Sequence, residues 1–155
     1  MTLKYFKVSE LVPRVVFKAR GEAAIELMDK RVVQALDDLR AVTKYPMTVN
    51  DKTHQFRGLR TPDCKEFSPY SQHTFGRAVD AVSVLKPEAY HREILTNLDK
   101  YPGVTFIEVD ITWLHIDCRD NSDGARIKCW SPTRGFLKVD DYLREVIKKL
   151  NKTGG

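Results

Sequence analysis

Two short segments of this chain constrain its fold most strongly, because the residues of one candidate site are divided between them. Residues 71–80 have the pattern S-x-H-x-x-G-x-A-x-D, and residues 113–117 have the pattern W-x-H-x-D. Between them, His73, Asp80 and His115 make a set of two histidines and an aspartate. Zinc takes these ligands in proteins, and catalytic zinc sites leave a fourth position for water. The sequence therefore predicts a fold that brings His73, Asp80 and His115 together around one Zn²⁺ ion.

The residues beside these ligands fit such a site. Gly76 allows a tight turn between the first histidine and the aspartate, and Ala78 leaves space beside the metal. His115 and Asp117 are two positions apart on a predicted strand, so they share one face. Trp113 lies on that face as well and is predicted to form a wall of the substrate pocket.

The length and composition predict a single domain over residues 1–155, expected to be a monomer. The chain has 155 residues, of which 42% are hydrophobic and 30% charged, which is enough for a hydrophobic core. No apolar run approaches the roughly 20 residues that span a bilayer. Residues 1–6 show no apolar core or cleavage site of a secretory signal. We therefore expect a cytoplasmic protein without a signal peptide and without a membrane partner.

Charge and cysteine content narrow the choice of partners. The net charge of +5 favours acidic polymers such as nucleic acid or an anionic cell wall. The basic residues are spread along the chain rather than clustered, which is typical of a solvated surface and makes nucleic-acid binding the least favoured function. Cys64, Cys118 and Cys129 match no disulfide framework and no C-x-x-C metal motif, so reduced thiols are expected.

Hydrophobic periodicity and turn residues predict an α+β domain with a mostly antiparallel sheet flanked by helices. Helices are predicted over residues 22–43, 87–100 and 139–150. Strands are predicted over residues 47–50, 77–84, 104–109, 112–118 and 126–130. Residues 51–75 are rich in Asp, Ser, Pro and Arg and predict a long loop, of the kind that often carries function.

The two motifs also carry a resemblance to a known family. Residues 71–80, followed by Trp-Leu-His at 113–115, resemble the zinc D-alanyl-D-alanine carboxypeptidase and L-alanyl-D-glutamate endopeptidase family. The Hedgehog signalling domain shares the zinc-binding fold of that family. Residues 57–62, Arg-Gly-Leu-Arg-Thr-Pro, are similar to the family's Ser-Gly-Tyr/Phe-Arg-Ser/Thr-Pro segment. The resemblance spans about residues 20–120 and implies a Hedgehog-like and D-Ala-D-Ala-peptidase-like fold.

The resemblance implies roles for individual residues. It assigns the zinc ion to His73, Asp80 and His115. Arg60 matches the arginine that faces the substrate carbonyl or carboxylate, and a guanidinium offers an oxyanion a fork of permanently charged donors. Ser71 either orients the loop and contacts substrate near the metal, or simply forms a turn.

One position departs from the family pattern. Many members carry Glu or Asp three residues before the second histidine, where it acts as the general base, but this chain has Thr112 there. Threonine does not accept a proton at neutral pH, so a carboxylate at another position must act as the base. Otherwise the protein is a catalytically degenerate zinc-binding module with a structural or cell-wall-binding role.

Three carboxylates are candidates for that base. Glu108 is the first choice, because a hairpin after its strand returns the chain to the metal. Asp110 lies in the hairpin turn and is expected to be exposed. Asp117 shares the face of His115 and either acts as the base or instead holds Arg119 or the metal-binding histidine in place.

The motifs together predict a zinc metallopeptidase, either a carboxypeptidase or an endopeptidase, acting on the peptides of bacterial peptidoglycan. Residues 5–11 and 68–73 are similar to phage-borne members, so we expect a phage-encoded lysis or virion protein that attacks the host cell wall. Two histidines lie outside the motifs. His54 either lines a substrate groove or is a plain loop residue, and His91 is predicted at the exposed surface of its helix.

Overall fold

The computed structural model describes residues 2–153, and in this part of the chain four α-helices and a six-stranded sheet form an α+β fold. The helices are α1 (Arg14–Arg20), α2 (Lys30–Thr43), α3 (Pro87–Thr96) and α4 (Val139–Lys152). The strands are β1 (Met47–Thr48), β2 (Ala78–Ser83), β3 (Phe106–Glu108), β4 (Leu114–Asp117), β5 (Lys128–Ser131) and β6 (Gly135–Leu137). The prediction of an α+β fold is confirmed. Within the described residues, no helix has the length and apolar character needed to cross a membrane.

The sheet is mixed, which corrects the prediction of a mostly antiparallel sheet. Its spatial order is β1–β2–β4–β3–β5–β6. Strands β3 and β5 are parallel, whereas the other neighbouring pairs are antiparallel. The parallel pair arises because residues 118–127 carry the chain from β4 past β3 to its far side. Strand β5 therefore runs opposite to β4 and in the same direction as β3.

Two adjacent rows of cross-strand partners give the sheet two chemically different faces. Residues that are directly paired across neighbouring strands point to the same face, and the next residue along each strand points to the other. The first row, here called the cleft row, consists of Asp80, His115, Glu108, Trp130 and Phe136. The second row, here called the core row, consists of Val79, Ile116, Ile107, Cys129 and Leu137.

The core row joins the hydrophobic core with the buried faces of the helices. Helix α2 contributes Val32, Leu36 and Leu39, which are fully buried and recur at three- and four-residue steps. Because one face of the sheet is filled in this way, polar side chains of the cleft row collect on the opposite face, where the candidate site lies.

The helix predicted over residues 22–43 is interrupted. Residues Gly21–Leu27 form a 3-10 helix, and α2 begins only after Asp29. The Asp29 carboxylate accepts a hydrogen bond from the Arg31 N–H at 2.9 Å, as a helix N-cap does. The Asp29 N–H donates to the Gly76 carbonyl oxygen at 2.8 Å, whereas in a continuous helix it would donate to the carbonyl four residues earlier. The interruption therefore attaches the loop of the first motif to the helical layer.

The environment of His91 also differs from the prediction. His91 is only 1% exposed, and its Nδ1 lies 2.7 Å from the Tyr142 hydroxyl. The surface position predicted for it is wrong, because α4 packs over the face of α3 that carries it. Helix α4 therefore buries a histidine that the residue pattern of α3 alone would place at the protein surface.

Candidate metal centre

The two sequence motifs meet at one side of the sheet. Strands β2 and β4 are antiparallel neighbours that pair Asp80 with His115, and His73 lies in the loop before β2. The His73 Nε2 is 3.3 Å from an Asp80 carboxylate oxygen, and the His115 Nδ1 is 2.7 Å from the other. The three side chains are only 5%, 13% and 9% exposed. One ligand atom from each lies within 4.8 Å of the others, so this group can hold a metal ion.

The orientation of His73 is fixed by Gly58, the second residue of the Arg-Gly-Leu-Arg-Thr-Pro segment. Its Nδ1–H donates to the Gly58 carbonyl oxygen at 2.8 Å, which directs Nε2 toward Asp80. A Cβ at Gly58 would lie 2.1 Å from the Leu11 carbonyl oxygen, so only glycine permits this approach. The Ser71 hydroxyl accepts a hydrogen bond from the His73 N–H at 3.2 Å, which is the turn-forming alternative of the sequence analysis.

Gly76 has the role that the sequence predicts. Its φ angle is 67°, a conformation that favours glycine. A Cβ at this position would lie 1.9 Å from the Leu27 carbonyl oxygen. The turn between His73 and Asp80 therefore depends on both the backbone freedom and the small size of Gly76.

His115 lies between two carboxylates. Its Nδ1 is 2.7 Å from Asp80, and its Nε2 is 2.9 Å from Asp117. Burial lowers the pKa of His115, but the hydrogen bonds to Asp117 and Asp80 outweigh that effect and raise the pKa to about 9. The metal-free protein therefore carries an imidazolium at neutral pH. A metal ion that binds at Nδ1 must displace one proton, while the Nε2–H remains donated to Asp117.

Asp117 is fully buried, and both of its oxygens are engaged. Arg119 donates from Nε to one oxygen at 2.8 Å, and from Nη2 to the oxygen that faces His115. Burial raises the pKa of Asp117, but the Arg119 and His115 hydrogen bonds outweigh it and hold the pKa below its usual value. The Arg119 guanidinium lies 3.6 Å from the Phe106 ring centroid. This arrangement favours a positioning role for Asp117 over the role of general base.

Asp80 is the anionic centre of the group. Burial raises the pKa of Asp80, but hydrogen bonds to His115 and His73 hold it well below its usual range. The Arg60 guanidinium also reaches this carboxylate, at 3.4 Å, and donates from Nε to the Phe56 carbonyl oxygen at 3.0 Å. Two imidazoles and a carboxylate are a donor set that suits zinc, although other first-row metals also accept it.

A cleft of 420 Å³ opens over the group, a volume typical of ligand sites. Glu108 lines this cleft and is paired in register with His115. Arg60, Ser71 and Trp113 line it as well, so the structure brings these predicted site residues together.

Three other residues weighed in the sequence analysis lie elsewhere. Thr112 is exposed and does not line the cleft. Asp110 occupies the turn after β3 with a φ of 60°, where it binds Ser131 and Arg134. His54 is exposed, with its Nδ1 3.0 Å from Asp51, so it is a plain loop residue.

Phe106, Trp130 and Phe136 also line the cleft and were not predicted. The last two belong to one supersecondary element. They lie on the hairpin of β5 and β6, of which only β5 was predicted. The signal was present in the Ser-Pro-Thr-Arg-Gly run at 131–135, whose proline and glycine are typical of a turn between two short strands. Strand β6 has only three residues, which is too short to show an alternating pattern.

Comparisons of the chain with protein-family models, with curated proteins and with solved structures find no match. The geometry of the cleft and the motifs that line it are therefore the features that bear on function.

Proposed function

We propose that this protein is a zinc-dependent peptidase that hydrolyses peptide bonds in the stem or cross-link peptides of bacterial peptidoglycan. The observation that carries the proposal is the position of Glu108. The register of β3 and β4 pairs it with His115, and both side chains line the cleft over the metal-binding group. Metal-assisted hydrolysis of a peptide bond uses a metal site and a nearby general base, and this cleft contains a candidate for each.

The donor set fits zinc, and the ligand atoms are already oriented. His73 presents Nε2 because its Nδ1–H is held by Gly58, and His115 presents Nδ1 because its Nε2 faces Asp117. A bound zinc ion supplies a Lewis acid for the peptide carbonyl and lowers the pKa of a coordinated water to about 7.

The side chains of the cleft take the remaining roles. Glu108 accepts the proton of the attacking water on a carboxylate oxygen and delivers it to the leaving amine. Arg60 donates hydrogen bonds to the oxygen on which negative charge develops, which stabilises the transition state. Trp113 is 38% exposed at the cleft wall and contacts the substrate.

A zinc-binding module without catalysis is the alternative function, suggested by Thr112. Glu108 favours the enzyme, because it supplies a carboxylate to the cleft even though Thr112 occupies the position where the family usually carries its base. The Hedgehog-like family, the phage origin and the monomeric state stay predictions.

The proposal is tested with purified peptidoglycan and zinc-loaded protein, by measuring newly released amino groups and the masses of the products. We expect wild-type protein to release peptides and the Glu108→Gln variant to lose a factor of about 10²–10⁴ in kcat. Its zinc content should remain that of the wild type. Glu22→Gln changes an exposed carboxylate outside the cleft and should keep full activity. A stoichiometrically zinc-loaded wild type that releases nothing would establish the module, and full activity of Glu108→Gln would eliminate Glu108 as the base.

A further inference from the structure

The cleft row continues beyond Glu108 onto two aromatic residues that the proposed hydrolysis does not use. Strand β5 pairs Trp130 with Glu108, and β6 pairs Phe136 with Trp130. Both line the same cleft as His115. We call Trp130 and Phe136 the aromatic shelf. It extends the lining of the cleft from Glu108 to β6, at the edge of the sheet.

Phe136 is held on the cleft face although its ring is 65% exposed to water. The next residue, Leu137, belongs to the core row, so strand alternation directs Phe136 to the opposite face. The hairpin that carries it is fixed from outside. Arg134 donates to Asp110 at 2.8 and 3.0 Å and to Glu145 at 2.8 Å. The shelf is thus a pre-organised apolar surface in contact with solvent, and such a surface needs little ordering to bind a ligand.

The separation between the shelf and Glu108 defines which part of a substrate meets the shelf. Neighbouring strands lie about 4.8 Å apart, so Trp130 is one strand spacing from Glu108 and Phe136 is about 10 Å away. An extended peptide advances about 3.3 Å per residue. A group on the shelf is therefore about one to three residue lengths from Glu108, the proposed base.

We infer that the aromatic shelf is a carbohydrate subsite, which stacks a pyranose ring of the amino-sugar strand that carries the peptide. This inference rests on the proposed function. A pyranose has one apolar C–H face and a rim of hydroxyls. A flat and open aromatic surface covers that face and leaves the hydroxyls in water. The Lys128 ammonium lies over the Phe136 ring at 5.2 Å from its centroid and is paired with Asp123 at 2.8 Å, so a charged donor lies beside the shelf within reach of sugar oxygens.

The binding test uses the full-length zinc-loaded protein and a soluble tetramer of N-acetylglucosamine, followed by tryptophan fluorescence and calorimetry. We expect the wild type to bind the oligosaccharide and Phe136→Ala to bind it about tenfold more weakly or not at all. Phe136→Tyr keeps a flat ring and should bind like the wild type. Phe75→Ala is the matched control, because Phe75 is 54% exposed and does not line the cleft.

The second measurement compares kcat/KM for a sugar-bearing muropeptide and for the same peptide without its sugar. We expect Phe136→Ala to lower kcat/KM about tenfold for the sugar-bearing substrate only. An equal loss for both substrates would overturn the subsite, because the shelf would then bind the peptide itself. A wild type that hydrolyses peptidoglycan but does not bind the oligosaccharide would overturn the subsite and leave the proposed function intact. Binding that depends on Phe136 without any hydrolysis would support the subsite and contradict the peptidase.

Discussion

His115 and His91 are both buried histidines, yet their surroundings shift their pKa values in opposite directions. His115 lies between Asp80 and Asp117, and their hydrogen bonds overcome the effect of burial and raise its pKa to about 9. His91 lies between α3 and α4, where burial lowers its pKa to about 4. The Tyr142 hydroxyl is its hydrogen-bond partner. Burial alone therefore does not define a functional histidine, whereas burial between two carboxylates makes a site that can exchange a proton for a metal ion.

The two sites also differ in how completely their polar atoms are satisfied. Both ring nitrogens of His115 have partners, and the Arg119 side chain completes the bonding of Asp117. The His91 Nε2 has no hydrogen-bond partner among the described residues. A site that must hold a metal ion needs ligands with one defined orientation, whereas a histidine that fills the space between two helices does not.

The largest difference is expected in metal affinity. His115→Ala removes a ligand atom and should lower zinc affinity by more than the roughly 10–100-fold effect typical of an outer hydrogen-bond partner. His91→Gln should leave the affinity unchanged, because α3 and α4 hold it outside the cleft. Competition with a chromophoric zinc chelator measures both constants. Equal affinities for the wild type and His115→Ala would remove His115 from the metal site.

The contrast between the two histidines also marks what the sequence allows one to predict. The three metal-binding residues were predictable, because each lies in a short motif whose local residue pattern determines where its side chain points. They are His73, Asp80 and His115. The burial of His91 was not, because it depends on α4, which lies far along the chain. The break before Asp29 escaped prediction for the same reason, since the partner of its N–H is the distant Gly76 carbonyl.

The second expected effect is a pair of opposite pH dependences in the stability of the metal-free protein. The His91 pKa of about 4 lies below the ordinary value of 6.5, so between these values the unfolded state binds more protons. Stability should fall by about 3 kcal/mol as the pH drops from 6.5 to 4. The His115 pKa of about 9 has the opposite sign, so its contribution is complete below pH 6.5 and is lost as the pH rises through 9.

Urea unfolding at a series of pH values measures both slopes. In His91→Gln the decline that this histidine causes between pH 6.5 and 4 should disappear, while the decline toward pH 9 should remain. Zinc should abolish the alkaline decline, because the metal replaces the proton on His115. An acid decline that is unchanged in His91→Gln would mean that other groups cause it.

The smallest expected effect concerns the partner that orients His115. Asp117→Asn keeps the size of the side chain but removes the charge that faces His115 and Arg119. We expect zinc affinity to fall about 10–100-fold, which is about 1.4–2.7 kcal/mol. Asp120→Asn changes an exposed carboxylate close in sequence and should have no effect. If Asp117→Asn instead abolished hydrolysis at saturating zinc while its affinity stayed unchanged, Asp117 rather than Glu108 would be the base.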